Sequence, residues 1–189
     1  MPQDIPIVGM VARWERWKGL HIFLETAKSL AAADPKITFF IVGGPHPMDQ
    51  AYAEELQSIA VQENFGERLI LAGQRPSSEV PLWHASADLI VHPVTGIEPF
   101  GMAVAEAMGM SRVVIASDLG GPSEIIENGV NGILIPKENP AALASAITEL
   151  LSNSDLRRRI SVEAYTRGRS FSIDAFANRF DHLITQFIE

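Results

Sequence analysis

The stretch Ile37-Thr38-Phe39-Phe40-Ile41-Val42-Gly43-Gly44-Pro45 decides how this chain folds. It is a short β-branched and aromatic run without polar alternation, and two glycines and a proline stop it. A strand of that kind needs cover on both faces, as in a parallel sheet. Similar runs lie on either side, at residues 5–12 before it and at 68–72, 88–92, 112–116 and 132–135 after it. Helix-like stretches separate them. Leu20, Phe23, Leu24, Ala27 and Ala31 recur at helical spacing, and residues 50–64, 80–86, 100–110 and 122–127 read as further helices. Asn139-Pro140 is a helix start, with Asn as the cap and Pro in the first turn, and Leu143, Ala146, Ile147, Leu150 and Leu151 form the stripe that follows.

Strands of this type alternating with helices predict an α/β fold. The expected form is a Rossmann-like, doubly wound parallel sheet of about six strands, with helices on both faces. Residues 153–189 read as a helical tail, in which Phe176, Phe180, Leu183, Ile184 and Phe187 line one side of a last helix. The 189 residues suffice for one domain with its own core. A formal net charge of -8 argues against a surface for nucleic acid or anionic membrane. No apolar run reaches the length of a membrane span. Met1-Pro2-Gln3-Asp4 has no signal-peptide character, and there are no cysteines, so a cytoplasmic location is expected.

In such sheets ligands bind beyond the carboxyl ends of the strands. The polar and glycine-rich outliers of this sequence follow the strands one after another. Arg13 and Lys18 follow the first, Gly43 and Gly44 the second, Gln74 and Arg75 the third, Glu98 the fourth, and Gly120-Gly121 the fifth. Arg13 and Lys18 suit an anion such as a diphosphate, or a solvated loop. Trp14 and Trp17 suit a ligand or, more often, a neighbouring domain. In Glu98-Pro99-Phe100-Gly101-Met102-Ala103-Val104-Ala105-Glu106 a glycine opens a helix, where free N–H groups favour a phosphate oxygen. Glu98 can accept hydroxyl hydrogen bonds just before that helix, and Glu106 can accept two at once from a vicinal diol. His21, His84 and His92 show no metal-ligand spacing and read as structural. The first strand ends in Ala12-Arg13-Trp14 without a glycine fingerprint, so no nicotinamide or flavin cofactor is expected.

These motifs resemble the C-terminal, donor-binding domain of retaining GT-B glycosyltransferases of group 1, or family 4. The resemblance runs from about Ile7 to the C-terminus. It rests on Glu98 and Glu106 eight apart around Pro-Phe-Gly, on Arg13 with Lys18-Gly19, on Gly120 to Ile126 with Asn128 to Gly132, and on Ser86-Ala87-Asp88. It implies an enzyme that moves a hexose from a nucleoside-diphosphate sugar, linked to UDP, GDP or ADP, to an acceptor hydroxyl. By the resemblance, Arg13 and Lys18 grip the diphosphate, and Glu98 holds the sugar hydroxyls. Phe100, Gly101 and Met102 offer N–H groups, Glu106 binds the ribose, and Gln74 and Arg75 border the base. Gly43 and Gly44 belong to the same donor-binding rim. No metal and no cofactor are implied.

Ala12 stands where the family often has glycine. The acceptor domain that precedes this segment in the family is expected to be missing, which leaves the last helix to partial exposure or self-association and the isolated domain weak or silent. Two other readings stay open: a non-catalytic nucleotide-binding or interaction module, and a fragment of a GT-B-fold sugar-nucleotide epimerase.

Overall fold

Each continuous apolar run becomes a strand, and the strands lie parallel in one sheet. In the computed structural model the described residues are 5–63 and 65–188, apart from the side chains of Phe187 and Ile188. The readings of Met1 to Asp4, of Asn64 as a helix end and of the Phe187 side chain therefore lie outside the described residues. The strands are β1 (Ile7–Val11), β2 (Thr38–Val42), β3 (Leu69–Gly73), β4 (Leu89–His92), β5 (Val113–Ser117) and β6 (Ile133–Ile135). Their order is β3-β2-β1-β4-β5-β6, with every pair parallel. The winding reverses between β1 and β4. In this topology the connections leave a crevice there, beyond the strands' carboxyl ends.

The helices are α1 (Leu20–Ala33), α2 (Gln50–Gln62), α3 (Val80–Ser86), α4 (Met102–Gly109), α5 (Gly121–Ile125), α6 (Pro140–Ser152), α7 (Ser154–Arg169) and α8 (Ile173–Ile188). The two-residue period of each strand sends side chains to opposite faces. Val8, Met10, Phe39, Ile41, Leu89, Val91, Val113 and Ile115 pack under α1, α2 and α6. Phe40, Val42, Ile90, Val114 and Ala116 meet Val104, Ala107 and Met108 of α4, Ile125 of α5 and Ala164 of α7. Both faces are thus covered, as the unalternating strands require. Phe40 makes an edge contact with Trp83 of α3, with ring centroids 5.2 Å apart. Asn139 caps α6 as expected, its side chain accepting from the Ala142 N–H at 2.9 Å.

The differences from the sequence reading are mostly at element ends. Helix α4 begins at Met102, two residues later than its apolar pattern suggested. Gly101 takes φ 100° and ψ 54° as the N-cap, a backbone that cannot continue a helix. Ile5 and Pro6 stay outside β1, and β3 and β5 each extend one residue further, to Gly73 and Ser117. Trp14, read as ligand- or domain-facing, is instead buried in the core. Helix α8 keeps an apolar face exposed at Phe176, Phe180, Leu183 and Ile184. No described helix is long and apolar enough to cross a membrane.

Candidate functional site

The loop after β1 carries Lys18, and the fold fastens that loop from two sides. Toward α2, Arg16 forms an ion pair with Glu55 and stacks over the Tyr52 ring at 4.6 Å, and its N–H donates to Asp49 at 3.2 Å. The Tyr52 hydroxyl accepts the His21 N–H at 3.1 Å, and burial pushes its pKa up to about 12. Toward the loop after β4, the Thr95 N–H donates to the Trp17 carbonyl at 2.8 Å. Gly19, at φ 77°, follows Lys18; a Cβ there would lie 1.8 Å from the Pro93 carbonyl oxygen. The left-handed turn and the missing side chain let the two loops close.

That closure brings Lys18 to Glu98. The Lys18 ammonium donates to the Glu98 carboxylate at 2.5 Å and lies 4.0 Å from the centre of the Trp17 ring. Both side chains are nearly buried, at 13% and 10% exposed. His92, the last residue of β4, is fully buried and places Nε2 3.2 Å from the same carboxylate oxygen. An ionised carboxylate only accepts, so Nε2 carries the hydrogen. The hydrogen bond from His92 and the charge of Lys18 outweigh burial and hold the Glu98 carboxyl down to about 2. Burial pulls the His92 pKa down, so the imidazole is neutral near pH 7. Read from sequence as structural, His92 thus touches the site directly. Its place at the end of a strand, six residues before Glu98, was the available signal.

The Glu98 backbone is held by the turn after β5, where the Gly121 N–H donates to the Glu98 carbonyl at 2.7 Å. Next comes the first turn of α4. The Gly101 carbonyl accepts from Val104 at 2.9 Å and from Ala105 at 3.2 Å. Among the described residues, the N–H groups of Phe100, Gly101, Met102 and Ala103 have no acceptor. They sit at the positive end of the helix, close to a lysine and a carboxylate.

The other predicted residues fall on two neighbouring clefts. Arg13 is exposed and pairs with Glu15 at 3.1 Å, so it does not share a partner with Lys18. With Gly43, Gly44, Gln74 and Arg75 it lines a cleft of about 370 Å³ at the ends of β1, β2 and β3. Gly43 also has a packing reason, since a Cβ there would lie 1.8 Å from the Ala12 carbonyl oxygen. Glu106 lies with Phe100 and Met102 on a second cleft of about 260 Å³, bordered by Pro81 of α3 and Phe171. Its carboxylate is half-exposed, and His84 Nε2 stands 3.7 Å away.

A doubly wound parallel sheet, with a cation, an acid and open amides beyond the carboxyl ends of its strands, defines a Rossmann-like domain. Comparison with known proteins supplies the family: the chain belongs to the glycosyl transferases group 1, which match it over residues 1–167. The D-inositol 3-phosphate glycosyltransferase of Thermomonospora curvata is 27% identical over 189 residues, which are 98% of this chain and 44% of that protein. The structure of Anabaena HepE in complex with UDP and glucose matches with a TM-score of 0.86 and 28% identity, over 95% of this chain and 48% of that one. The C-terminal domain of a glycosyl transferase group 1 family protein from Francisella tularensis matches with a TM-score of 0.79 and 28% identity, over 89% of this chain and 88% of that one. The chain thus spans a little under half the length of the full-length relatives it matches.

Proposed function

We propose that this chain is the donor-binding half of a retaining glycosyltransferase, which moves a hexose from a nucleoside-diphosphate sugar to an acceptor hydroxyl without a metal ion. The observation that carries the reading is the cluster of Lys18, Glu98 and His92 beside the open amides of α4. In the reaction the bond between the anomeric carbon and the diphosphate oxygen breaks, and its electron pair leaves with the diphosphate. The acceptor oxygen forms the new bond and gives its proton to an oxygen of the departing diphosphate. Negative charge therefore grows on the diphosphate, where Lys18, the α4 amides and Arg13 supply positive charge held in place before the reaction.

Glu98, kept ionised by Lys18 and His92, accepts hydrogen bonds from the sugar hydroxyls. Glu106 accepts from the ribose diol, and the cleft of Gly43, Gly44, Gln74 and Arg75 takes the base. The complex of HepE with UDP and glucose supports this class of ligand. The acceptor and the groups that hold it belong to a further domain, in keeping with the length of the relatives.

Calorimetric titration of the folded chain with UDP, GDP and ADP tests the reading. One of the three binds, and Lys18→Ala weakens it about tenfold or more, the scale of one lost charge-assisted contact. A folded sample that binds none of them contradicts it and favours an interaction module.

A further inference from the structure

Among the described residues, His84 is a buried polar group that its surroundings leave unsatisfied. It lies on α3, is fully buried, and neither ring nitrogen has a hydrogen-bond partner among the described residues. A buried imidazole must carry at least one N–H, and leaving it unpaired costs roughly 1–3 kcal/mol. The ring is held in place by its helix. Neighbouring Trp83 packs on Phe40, and the His84 carbonyl accepts the Ala87 N–H at 3.2 Å. Facing it is the Glu106 carboxylate on α4, with Oε2 3.7 Å from Nε2, slightly beyond a hydrogen bond. The carboxylate is the mobile partner, since its side chain is 46% exposed while His84 is sealed.

His92 already makes the contact that His84 only approaches. It ends β4 beneath Glu98 and donates Nε2–H to that carboxylate. Each of the two glutamates of the motif thus has a buried histidine behind it, one from a strand end and one from a neighbouring helix.

We infer that His84 is a positioning residue for Glu106: its Nε2–H holds one carboxylate oxygen from below, so that the carboxylate presents itself to the two hydroxyls of a ribose diol. The inference rests on the proposed donor site and deepens it. A carboxylate anchored on the protein side has fewer rotamers to lose when the diol arrives. The role is confined to the diol. His84 touches neither the base cleft nor Lys18, so its removal acts only on a ligand whose hydroxyls Glu106 contacts.

The experiment compares binding of UDP, GDP and ADP with their 2′,3′-dideoxy forms, in the unaltered chain and in Glu106→Gln, His84→Phe, His84→Gln and His84→Asn. Gln places an N–H donor close to where His carries Nε2, whereas Asn reaches only to the Nδ1 position. The expected result has three parts. The chain prefers the ribo over the dideoxy nucleotide by about tenfold, roughly 1.4 kcal/mol. Glu106→Gln, His84→Phe and His84→Asn erase most of that preference with little effect on the dideoxy form. His84→Gln retains it. A purely structural His84 would instead lower affinity for both forms alike.

If the chain and Glu106→Gln are both indifferent to the hydroxyls, the assignment of Glu106 to the ribose fails, whatever His84 does. If Glu106→Gln loses the preference and His84→Phe keeps it, the role of His84 is overturned. A second readout needs no ligand. The ¹⁵N spectrum of His84 shows the Nε2–H tautomer, with a resonance that moves in Glu106→Gln. An Nδ1–H tautomer, or a resonance indifferent to Glu106, overturns the inference even for a chain that binds no nucleotide.

Discussion

Replacing Glu98 by Gln keeps the shape and one acceptor oxygen but removes the charge that Lys18 and His92 hold. In the folded chain this carboxyl sits at about 2, against an ordinary value of 4.5. At about 1.4 kcal/mol per pH unit, that gap corresponds to at most about 3.5 kcal/mol of stability. The pair lies at the edge of an open crevice, where solvent screening reduces the figure to about 1–2 kcal/mol. The sign follows from the direction. A folded value below the unfolded one stabilises fully above pH 4.5, and the contribution drains away as pH falls toward 2.

Urea denaturation of the chain and of Glu98→Gln at pH 6, 4 and 3 reads this directly, because the other carboxylates cancel in the difference. The unaltered chain is expected to be more stable by about 1–2 kcal/mol at pH 6, with more than half of that margin gone at pH 3. A margin that stays constant between pH 6 and 3 would show that the Glu98 carboxyl is not held ionised by its neighbours, and the reasoning about this cluster would fail with it.

Three further outcomes follow from the same geometry. His92→Leu removes the donor from Glu98, so the carboxyl titrates at a higher pH than in the unaltered chain, as read by ¹³C NMR; an unchanged titration would assign the low value to Lys18 alone. Gly19→Ala forces a Cβ to within 1.8 Å of the Pro93 carbonyl at a left-handed φ, and is expected to lower Tm by several degrees, whereas Gly66→Ala, with open space around it, costs only the roughly 1 kcal/mol of its φ. Arg13→Ala loses an exposed ion pair and changes stability by less than about 1 kcal/mol in a urea titration, yet weakens nucleoside-diphosphate binding in calorimetry; unchanged binding would remove Arg13 from the diphosphate site.

The sheet was legible because its signal is local. Runs such as Phe39 to Val42 carry the two-faced burial of a central parallel strand in their own letters, and Asn139-Pro140 announces its helix by chemistry confined to one turn. Ends were less legible. Phe100 reads as helical by periodicity, but the φ of Gly101 excludes it from α4. The candidate site was legible as a set of residues and not as a set of partners. Glu98 and Lys18 stand out by their motif, but the pairing of Lys18 with Glu98, and of Arg13 with Glu15, depends on how the loops after β1 and β4 close. The histidines show the limit most clearly. His84 and Glu106 lie on different helices, and no spacing along the chain reports that α3 sets its ring beneath α4. Trp14 is the converse case, a large aromatic in a loop that the fold turns inward to the core.

A co-crystal structure with the nucleoside diphosphate that binds best addresses the main proposition at the level of atoms. It should show a phosphate oxygen within hydrogen-bonding reach of the Lys18 ammonium and of at least one N–H among Phe100 to Ala103. A diphosphate lodged at the opposite edge of the sheet, with the Lys18 ammonium and the start of α4 left untouched, would contradict the account.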